Sequence, residues 1–348
     1  MSTTTDLDPQ VLARWLAERL PNAAGLSVRN AQTGAHGASA ESVFFDLVSG
    51  GGEVRPMVLK RSPAGPKLFP VDDLAMQHGL MNALHGRGLP VPASLGVETD
   101  PSVLGGQFLV MPRMPGQAIS DRPPGVHAKG LLFDATPAQR GAMWHSCVDT
   151  LARLHAVDCR HPDFVPLGDV ARSTVQALRA QLDALDRLLT WCETEQPAVP
   201  DLRHALEWLR RNCPDTTSRL VVCWGDAKVG NILFDHGKLS AALDWELAYL
   251  GTPEDDLAYW MLVDETNRAV NKAPRLEGIP DSAGTIALYE QLSGRRVHDM
   301  DYHLTFQSLR LSVFLALVAR LDAHTGAFGG RVKADDNPMI HLLRSRLD

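Results

Sequence analysis

The chain has 348 residues, of which 34 are basic and 41 acidic, giving a formal net charge of -7 at pH 7. This acidic balance argues against a nucleic-acid-binding protein, which would usually present a basic stripe. Hydrophobic residues make up 45% of the chain and can bury a sizeable core, yet no apolar run approaches the ~20 residues of a membrane helix. The chain shows neither a secretory signal nor cysteines at paired spacing. We therefore expect a cytoplasmic protein with no membrane or nucleic-acid partner.

The first third of the chain predicts one helix followed by a small sheet. Asp8 and Pro9 are typical of a helix start, and apolar residues recur at helical spacing from there to Pro21. Beyond Gly34 the sequence predicts two strands, a helix and two more strands, at 42–48, 54–61, 71–84, 94–97 and 108–111. From Thr136 onward apolar residues at helical spacing dominate, so the rest of the chain is expected to be mostly helical.

Two short apolar strands interrupt the helical part. Ile232 to Phe234 and Leu239 to Leu243 have the pattern of buried strands, and the turn between them contains Gly237. A hairpin of these strands would bring Asn231, just before the first strand, to the same end as Asp244, just after the second.

Asp226, Asn231 and Asp244 follow one another in the order of the catalytic and metal-binding groups of kinases. In phosphoryl transfer a carboxylate such as Asp226 can orient the attacking hydroxyl and accept its proton. Asn231 and Asp244 are candidate ligands of the Mg²⁺ that accompanies the nucleotide phosphates. Lys228 could offset charge on the transferred group, although a solvated loop lysine is the plainer interpretation. A single such aspartate is usually a cap or turn residue, but three elements in order favour a phosphotransferase.

The same residues carry a family resemblance. The run from Gly225 through Asp244-Trp245, continued by Gly251-x-Pro253-x-x-Asp256, resembles the aminoglycoside phosphotransferase family, also called the choline-kinase-like or antibiotic-kinase superfamily. The phrase from Leu243 to Ala248 is similar to hydroxyacyl-coenzyme-A kinase domains fused to acyl-CoA dehydrogenases and to their stand-alone bacterial relatives. The resemblance extends from about Gly34 to Trp260.

The resemblance implies an α+β, bilobal protein-kinase-like fold. A nucleotide-binding lobe with an antiparallel sheet would occupy residues 1–115, and a mostly helical catalytic and acceptor-binding lobe residues 116–348. The implied reaction is a Mg²⁺- and ATP-dependent transfer to a hydroxyl of a small molecule, with GTP left open as the donor. Asp256 resembles the family's aspartate that holds the catalytic loop, and His155 is expected to be a core histidine.

Further residues are implied to contact the nucleotide. Lys60, near the end of its strand, corresponds to the lysine that meets the α- and β-phosphates. The loop from Gly34 to Ser42 would cover the phosphates, with Ser39 and Ser42 as hydroxyl donors, although a plain glycine-containing turn is equally compatible with it.

The stretch from Phe108 to Gly116 resembles the hinge that holds adenine. Because Pro112 has no amide hydrogen, the donor would be Arg113 or Met114, with Val110 as a candidate carbonyl.

Two departures from the family pattern keep other functions open. Trp224 stands where relatives carry histidine, and Gln77 stands where a glutamate usually pairs with the lysine; Gln77 could hydrogen-bond Lys60 but brings no charge. Another acid, Asp72 or Asp73, could hold Lys60 instead. A catalytically silent nucleotide-binding pseudokinase with a regulatory partner is therefore the alternative. A protein kinase is disfavoured, because no Ala-Pro-Glu element follows Asp244.

The acceptor is the least defined part of the prediction. We expect the helices of residues 171–211 and those from Ile286 onward to supply its pocket. These segments show apolar stripes and no block of carboxylates. The expected acceptor is therefore a small, largely apolar hydroxylated molecule and not a polycation.

Overall fold

The computed structural model describes residues 7–21, 24–34, 39–121, 123–170, 173–215 and 219–347. The chain divides into two compact units, Met1–Met114 and Pro115–Asp348. The first unit is built on a sheet and the second mostly on helices.

Over its described residues, the first unit contains a five-stranded antiparallel sheet and two helices. The sheet has the strand order β1-β2-β3-β5-β4. In chain order the elements are α1 (Pro9–Ala17), β1 (Ser27–Thr33), β2 (Glu41–Val48), β3 (Val54–Arg61), α2 (Leu74–His85), β4 (Gly96–Glu98) and β5 (Phe108–Pro112). Helix α1 begins where predicted, because the Asp8 side chain accepts the backbone N–H groups of Gln10 and Val11.

The core of this unit lies between α1 and the sheet. The ring of Trp15 packs against Phe108 at a centroid distance of 4.9 Å, and its N–H donates to Glu98 at 2.7 Å. The predicted β2, β3, α2, β4 and β5 are confirmed within three residues. Strand β1 was missed, because it is largely polar and a register shift between Arg29 and Gln32 interrupts its alternation.

The second unit holds the remaining helices and two small groups of strands. Its elements are β6 (Gln117–Ala118), α3 (Leu131–Asp134), α4 (Pro137–Ala156), α5 (Thr174–Glu193), α6 (Pro200–Arg211), β7 (Val221–Cys223), β8 (Ile232–Asp235), β9 (Lys238–Ala242), β10 (Tyr249–Gly251), α7 (Pro253–Val270), α8 (Ser282–Ser293), α9 (Met300–Thr325) and α10 (Pro338–Leu347). Strand β8 pairs with both β6 and β9, and β7 pairs with β10.

Helix α9 forms the centre of the second unit. It packs against α5, α6, α7 and α10. Its 26 residues and mean hydropathy of 1.4 would allow it to cross a membrane, but 67% of its apolar window is buried inside the protein. Burial among other helices identifies α9 as a core helix.

The helices expected to supply the acceptor pocket bury part of their surface in the core. Leu178, Leu182, Leu185 and Phe306 on these helices are each at most 4% exposed. Side chains so deeply buried stabilise the unit and do not line a pocket, as expected for most residues of an apolar stripe. That these helices supply the acceptor pocket stays a prediction.

Candidate active site

The predicted catalytic loop connects β7 to β8. It begins with Gly225, whose φ of +81° lies in the left-handed region. A side chain there would also collide with the carbonyl of Leu247. Only glycine fits this turn, and the turn sets the direction in which Asp226 leaves the strand.

Asp226 is held between two hydrogen-bond donors. The hydroxyl of Tyr259 on α7 donates to Oδ1 at 2.5 Å, and Nδ2 of Asn231 donates to Oδ2 at 2.6 Å. Burial, and then the charge of Asp226, raise the pKa of Tyr259 well above its ordinary value, so the phenol stays protonated and donates. The carboxylate is thereby fixed in orientation, with 15% of its side chain exposed.

Lys228 lies beside this carboxylate. Its Nζ is 3.5 Å from Oδ2 of Asp226 and 3.4 Å from Oδ2 of Asp121. Burial alone would lower the pKa of Lys228, but Asp226, Asp121 and Asp244 outweigh it and raise the pKa above its ordinary value. The amine therefore remains a cation next to Asp226, in a place where it could meet a negatively charged group.

The hairpin brings Asn231 and Asp244 to the same end, as predicted. Ile232 pairs with Ala242, and the N–H of Leu243 donates to the carbonyl of Asn231 at 2.9 Å. Asp244 has a φ of 58°, a left-handed conformation that is uncommon outside glycine and that the surrounding structure must stabilise.

The donor atoms at this end of the hairpin suit Mg²⁺. The Asn231 amide nitrogen is committed to Asp226, which leaves its oxygen, together with the carboxylate of Asp244, as the groups for a metal. In the described ranges no three or more His, Cys, Asp or Glu side chains form a metal-binding cluster. Mg²⁺ in nucleotide sites is usually held by one or two protein carboxylates plus phosphates, so these few oxygen ligands fit it.

Asp256, in the first turn of α7, holds the loop from below. Its carboxylate accepts the backbone N–H groups of Trp224 at 2.7 Å and Gly225 at 2.9 Å. His155 lies 3.1 Å from the same carboxylate and 2.8 Å from the hydroxyl of Tyr289. Asp256 and His155 are each 1% exposed, so both are structural, as the sequence predicted.

Trp224 has a role that the sequence did not reveal. Its indole N–H donates to the carbonyls of Leu243 at 2.9 Å and Asp244 at 3.2 Å. Its ring stacks on Trp245 at a centroid distance of 5.3 Å. Trp224 is one of the two departures from the family pattern that keep a silent protein open. The structure instead shows it fixing the backbone of Asp244.

A buried arginine on α9 binds the same loop. Arg310, 4% exposed, donates to the carbonyls of Gly225 and Leu247, the latter at 3.1 Å. Its guanidinium also lies over the rings of Tyr249 and Tyr259. Tyr259 could have been suspected from the sequence, since a residue three positions after Asp256 lies on the same helical face. No local signal points to Arg310.

In the first unit, Lys60 lies near the end of β3. It pairs with Ser42 on β2 and with Leu109 on β5. Ser39 is described, whereas residues 35–38 of the predicted phosphate-covering loop lie outside the described residues.

Three residues were candidates to bind the amine of Lys60: Gln77, Asp72 and Asp73. Gln77 is 5% exposed on α2. Asp73 caps that helix by accepting the N–H of Met76 at 2.8 Å, and Asp72 lies 2.9 Å from the amine of Lys67. Both acids therefore have structural roles of their own.

The structure corrects part of the predicted hinge. The carbonyl of Val110 accepts the N–H of Leu95 at 2.8 Å and the hydroxyl of Ser94 at 3.2 Å, so both of its lone pairs are used. The N–H of Arg113 donates to the carbonyl of Pro56 at 3.0 Å. Neither group is available to adenine, which leaves Met114 as the predicted hinge donor.

Comparison with known proteins identifies similar sequences. The sequence profile of the phosphotransferase enzyme family matches residues 31–284. The chain is 31% identical over 262 residues to acyl-CoA dehydrogenase family member 11 of Gallus gallus, covering 72% of this chain and 30% of that protein. It is 28% identical over 230 residues to family member 10 of Mus musculus, covering 64% of this chain and 19% of that protein. The chain thus spans less than a third of the length of these relatives.

Solved structures share the fold. An aminoglycoside phosphotransferase candidate from Ralstonia eutropha has a TM-score of 0.70 and 24% identity, covering 98% of each chain. Ethanolamine kinase of Plasmodium vivax has a TM-score of 0.62 and 12% identity, covering 97% of this chain and 86% of that one. A complex of the aminoglycoside phosphotransferase APH(4)-Ia with AMP-PNP and hygromycin B has a TM-score of 0.58 and 16% identity, covering 97% and 96%. The predicted kinase-like α+β fold is confirmed.

Proposed function

Because the chain belongs to the phosphotransferase enzyme family, we propose that it transfers a phosphoryl group from Mg²⁺-bound ATP to a hydroxyl of a small molecule. The observation that carries this proposal is the arrangement around Asp226. Tyr259 and Asn231 orient the carboxylate, and the cation of Lys228 lies beside it. An oriented carboxylate and a neighbouring cation are the groups that phosphoryl transfer to a hydroxyl requires.

Each group has a proposed role. Asp226 aligns the acceptor hydroxyl and takes its proton as the hydroxyl oxygen bonds to the γ-phosphorus and the bond from that phosphorus to the departing ADP breaks. Lys228 offsets negative charge on the transferred group. Asn231 and Asp244 would hold Mg²⁺, which when bound neutralises charge on the nucleotide phosphates.

A second set of residues is proposed to bind the nucleotide. Lys60 would meet the α- and β-phosphates, and Gln77 would hydrogen-bond Lys60. Ser39 and Ser42 would add hydroxyl contacts to the phosphates, and the N–H of Met114 would donate to the base. ATP is the proposed donor, with GTP as the comparison nucleotide in any assay.

The silent pseudokinase has less support than the active enzyme. It was motivated in part by Trp224, whose indole is now seen to hold the backbone that carries Asp244. The kinase-like triad of Asp226, Asn231 and Asp244 is complete.

We also propose that the enzyme acts in the cytoplasm, since its five cysteines are free thiols and four of them are buried.

Purified protein tests the proposal directly. ADP release and transfer of labelled phosphate would be measured with Mg-ATP and with Mg-GTP. The acceptor panel would contain aminoglycosides, macrolides, choline-like amines, hydroxyacyl thioesters and hydroxylated aromatics. We expect acceptor-dependent ADP release that is lost in Asp226→Asn, with neutral or acyl alcohols preferred over polycations. Nucleotide binding without turnover on any acceptor would instead support the silent alternative.

A further inference from the structure

A narrow cavity lies beside Lys228 within the second unit. It is partly open to solvent and has room for about one water molecule. The residues that line it include Val126, Trp144, Lys228, Trp260, Val263 and Asp264. Since Lys228 also contacts Asp226, the cavity adjoins the proposed reaction centre.

Trp260 on α7 lines this cavity and carries an unpaired donor. The side chain is 2% exposed, and its indole nitrogen has no hydrogen-bond partner among the described residues. Leaving a buried N–H unpaired is unfavourable, so such groups usually bind a ligand or an ordered water. The neighbouring Trp144 differs, because its N–H donates to the hydroxyl of Thr285 at 3.2 Å. The two rings meet edge to face at 5.2 Å.

Other polar groups of the cavity wall already have partners. Asp264 is bound by Nε2 of His127 at 2.7 Å and by the guanidinium of Arg275 at 3.0 Å. Asn267 accepts the N–H of Val126 at 3.3 Å and donates to the carbonyl of Asp121 at 2.7 Å. Among the described lining residues, Trp260 is therefore the one with an orphaned buried polar atom.

The charges around the cavity favour a neutral ligand group. The cation of Lys228 is shared between the carboxylates of Asp226 and Asp121, and Asp264 is neutralised by Arg275. Lys228 is assigned to the transferred phosphoryl group in the proposed reaction, so an anionic group of the acceptor would have to compete for that cation, while an ammonium group could not accept the indole hydrogen. A neutral oxygen is therefore the hydrogen-bond acceptor that best suits the indole N–H.

We propose that Trp260 is a specificity-determining residue whose indole N–H donates to a neutral carbonyl or ether oxygen of the phosphate acceptor. The small cavity would receive that oxygen, while the hydroxyl of the same molecule is presented to Asp226. This inference rests on the proposed function and narrows its acceptor class. It places recognition on the same helix, α7, that supplies Tyr259 to the catalytic carboxylate.

Binding tests the inference without turnover. Protein labelled with ¹⁵N at tryptophan would be titrated with 4-hydroxy-2-butanone and with 3-methyl-3-buten-1-ol, which carries a methylene group in place of the carbonyl oxygen. The Trp260 indole signal is assigned by its loss in Trp260→Phe, or by elimination with the other tryptophan variants. We expect the chemical shift of the Trp260 indole proton to move downfield when the ketone is added and to change little when the alkene is added. No response to the ketone, or equal responses to both, would overturn the inference.

Kinetics supply the second measurement. Trp260→Phe keeps an aromatic ring but removes the donor, so KM for carbonyl-bearing or ether-bearing acceptors should rise about 10-fold, the equivalent of 1.4 kcal/mol. KM for the methylene analogue should change less than about 2-fold, which lies within the scatter of such effects. Trp144→Phe is the matched control and should leave the ratio between the two acceptors unchanged. Equal losses on both acceptors in Trp260→Phe would contradict the assignment.

The two proposals can fail separately. An indole signal that responds to the ketone in a protein that phosphorylates no acceptor would support the subsite and refute the kinase activity. Turnover with no preference for an oxygen-bearing acceptor would support the kinase and refute the subsite.

Discussion

Replacing Asp226 with asparagine should nearly abolish phosphoryl transfer while leaving the fold and nucleotide affinity close to those of the parent protein. The carboxylate accepts from two donors, Tyr259 and Asn231. In Asp226→Asn one oxygen becomes an NH₂ group, which cannot accept. If it faces Tyr259, the phenol can rotate and accept from it, so both contacts survive as neutral hydrogen bonds.

The magnitudes follow from this geometry. A hydrogen bond to a charged group contributes about 1.5–3 kcal/mol and a neutral one about 0.5–1.5 kcal/mol, so the free energy of unfolding should fall by about 1–3 kcal/mol. Loss of a positioned base costs about 10²- to 10⁴-fold in rate. Nucleotide affinity should change little, because the proposed role of Asp226 is toward the acceptor hydroxyl.

Three measurements would be made on the same preparation: turnover, Mg-ATP affinity by calorimetry, and denaturant unfolding. Asp235→Asn in the half-exposed turn of the hairpin is the matched control, since it makes the same chemical change outside the loop. Turnover above about a tenth of the parent value would refute the role of Asp226, since that loss is far below the expected range. A parallel loss of Mg-ATP affinity would show instead that the residue acts on the nucleotide.

Four further outcomes are expected. Asp244→Ala should weaken Mg-ATP binding and transfer together, and unchanged calorimetric affinity would contradict its role as a metal ligand. Tyr259→Phe should lower kcat about 10-fold at constant Mg-ATP affinity, because it removes one charge-assisted hydrogen bond to Asp226. An unchanged kcat would contradict the role of Tyr259 in orienting that carboxylate. Trp224→Phe keeps the stacked ring but removes the N–H, so unfolding free energy should fall by about 1–2 kcal/mol and the Mg²⁺ requirement should rise. A protein unaltered in both respects would refute its positioning role. Nδ1 of His303 on α9 lies 2.7 Å from the carboxylate of Asp255 on α7. Burial lowers the pKa of His303, but Asp255 outweighs it and raises that pKa. The stabilisation from this pair should therefore be complete below the ordinary histidine pKa and decline as pH rises through the raised value. In denaturant unfolding followed against pH, His303→Gln should lack this decline, and an identical pH dependence in both proteins would contradict it.

The sequence predicted the parts of the site that depend on local structure. The hairpin of β8 and β9 follows from two apolar strands around Gly237, and its register alone brings Asn231 and Asp244 to one end. In this hairpin the residues lie within one supersecondary unit, where spacing determines geometry. Asp256 was expected to hold the catalytic loop only from its resemblance to the family's aspartate.

Contacts between distant segments were not predictable in the same way. Tyr259 reaches Asp226 from 33 residues away and Arg310 reaches Gly225 from 85. The hinge prediction was wrong for Val110 and Arg113 for a different reason. Which N–H and carbonyl groups at the end of β5 remain unpaired depends on strand register, and that register commits the N–H of Arg113 to Pro56.

The contact of Arg310 with the loop carbonyls couples the catalytic loop to the longest helix of the core. The amide hydrogens of Trp224 and Gly225 are bound to buried Asp256, while the Gly225 carbonyl is bound to α9. Their exchange with solvent deuterium should therefore require opening of the helical core, at a rate close to that of the slowest α9 amides. We therefore expect the catalytic loop to open only together with the helical core. Mild destabilisation of the core would then remove activity and helical structure at the same denaturant concentration.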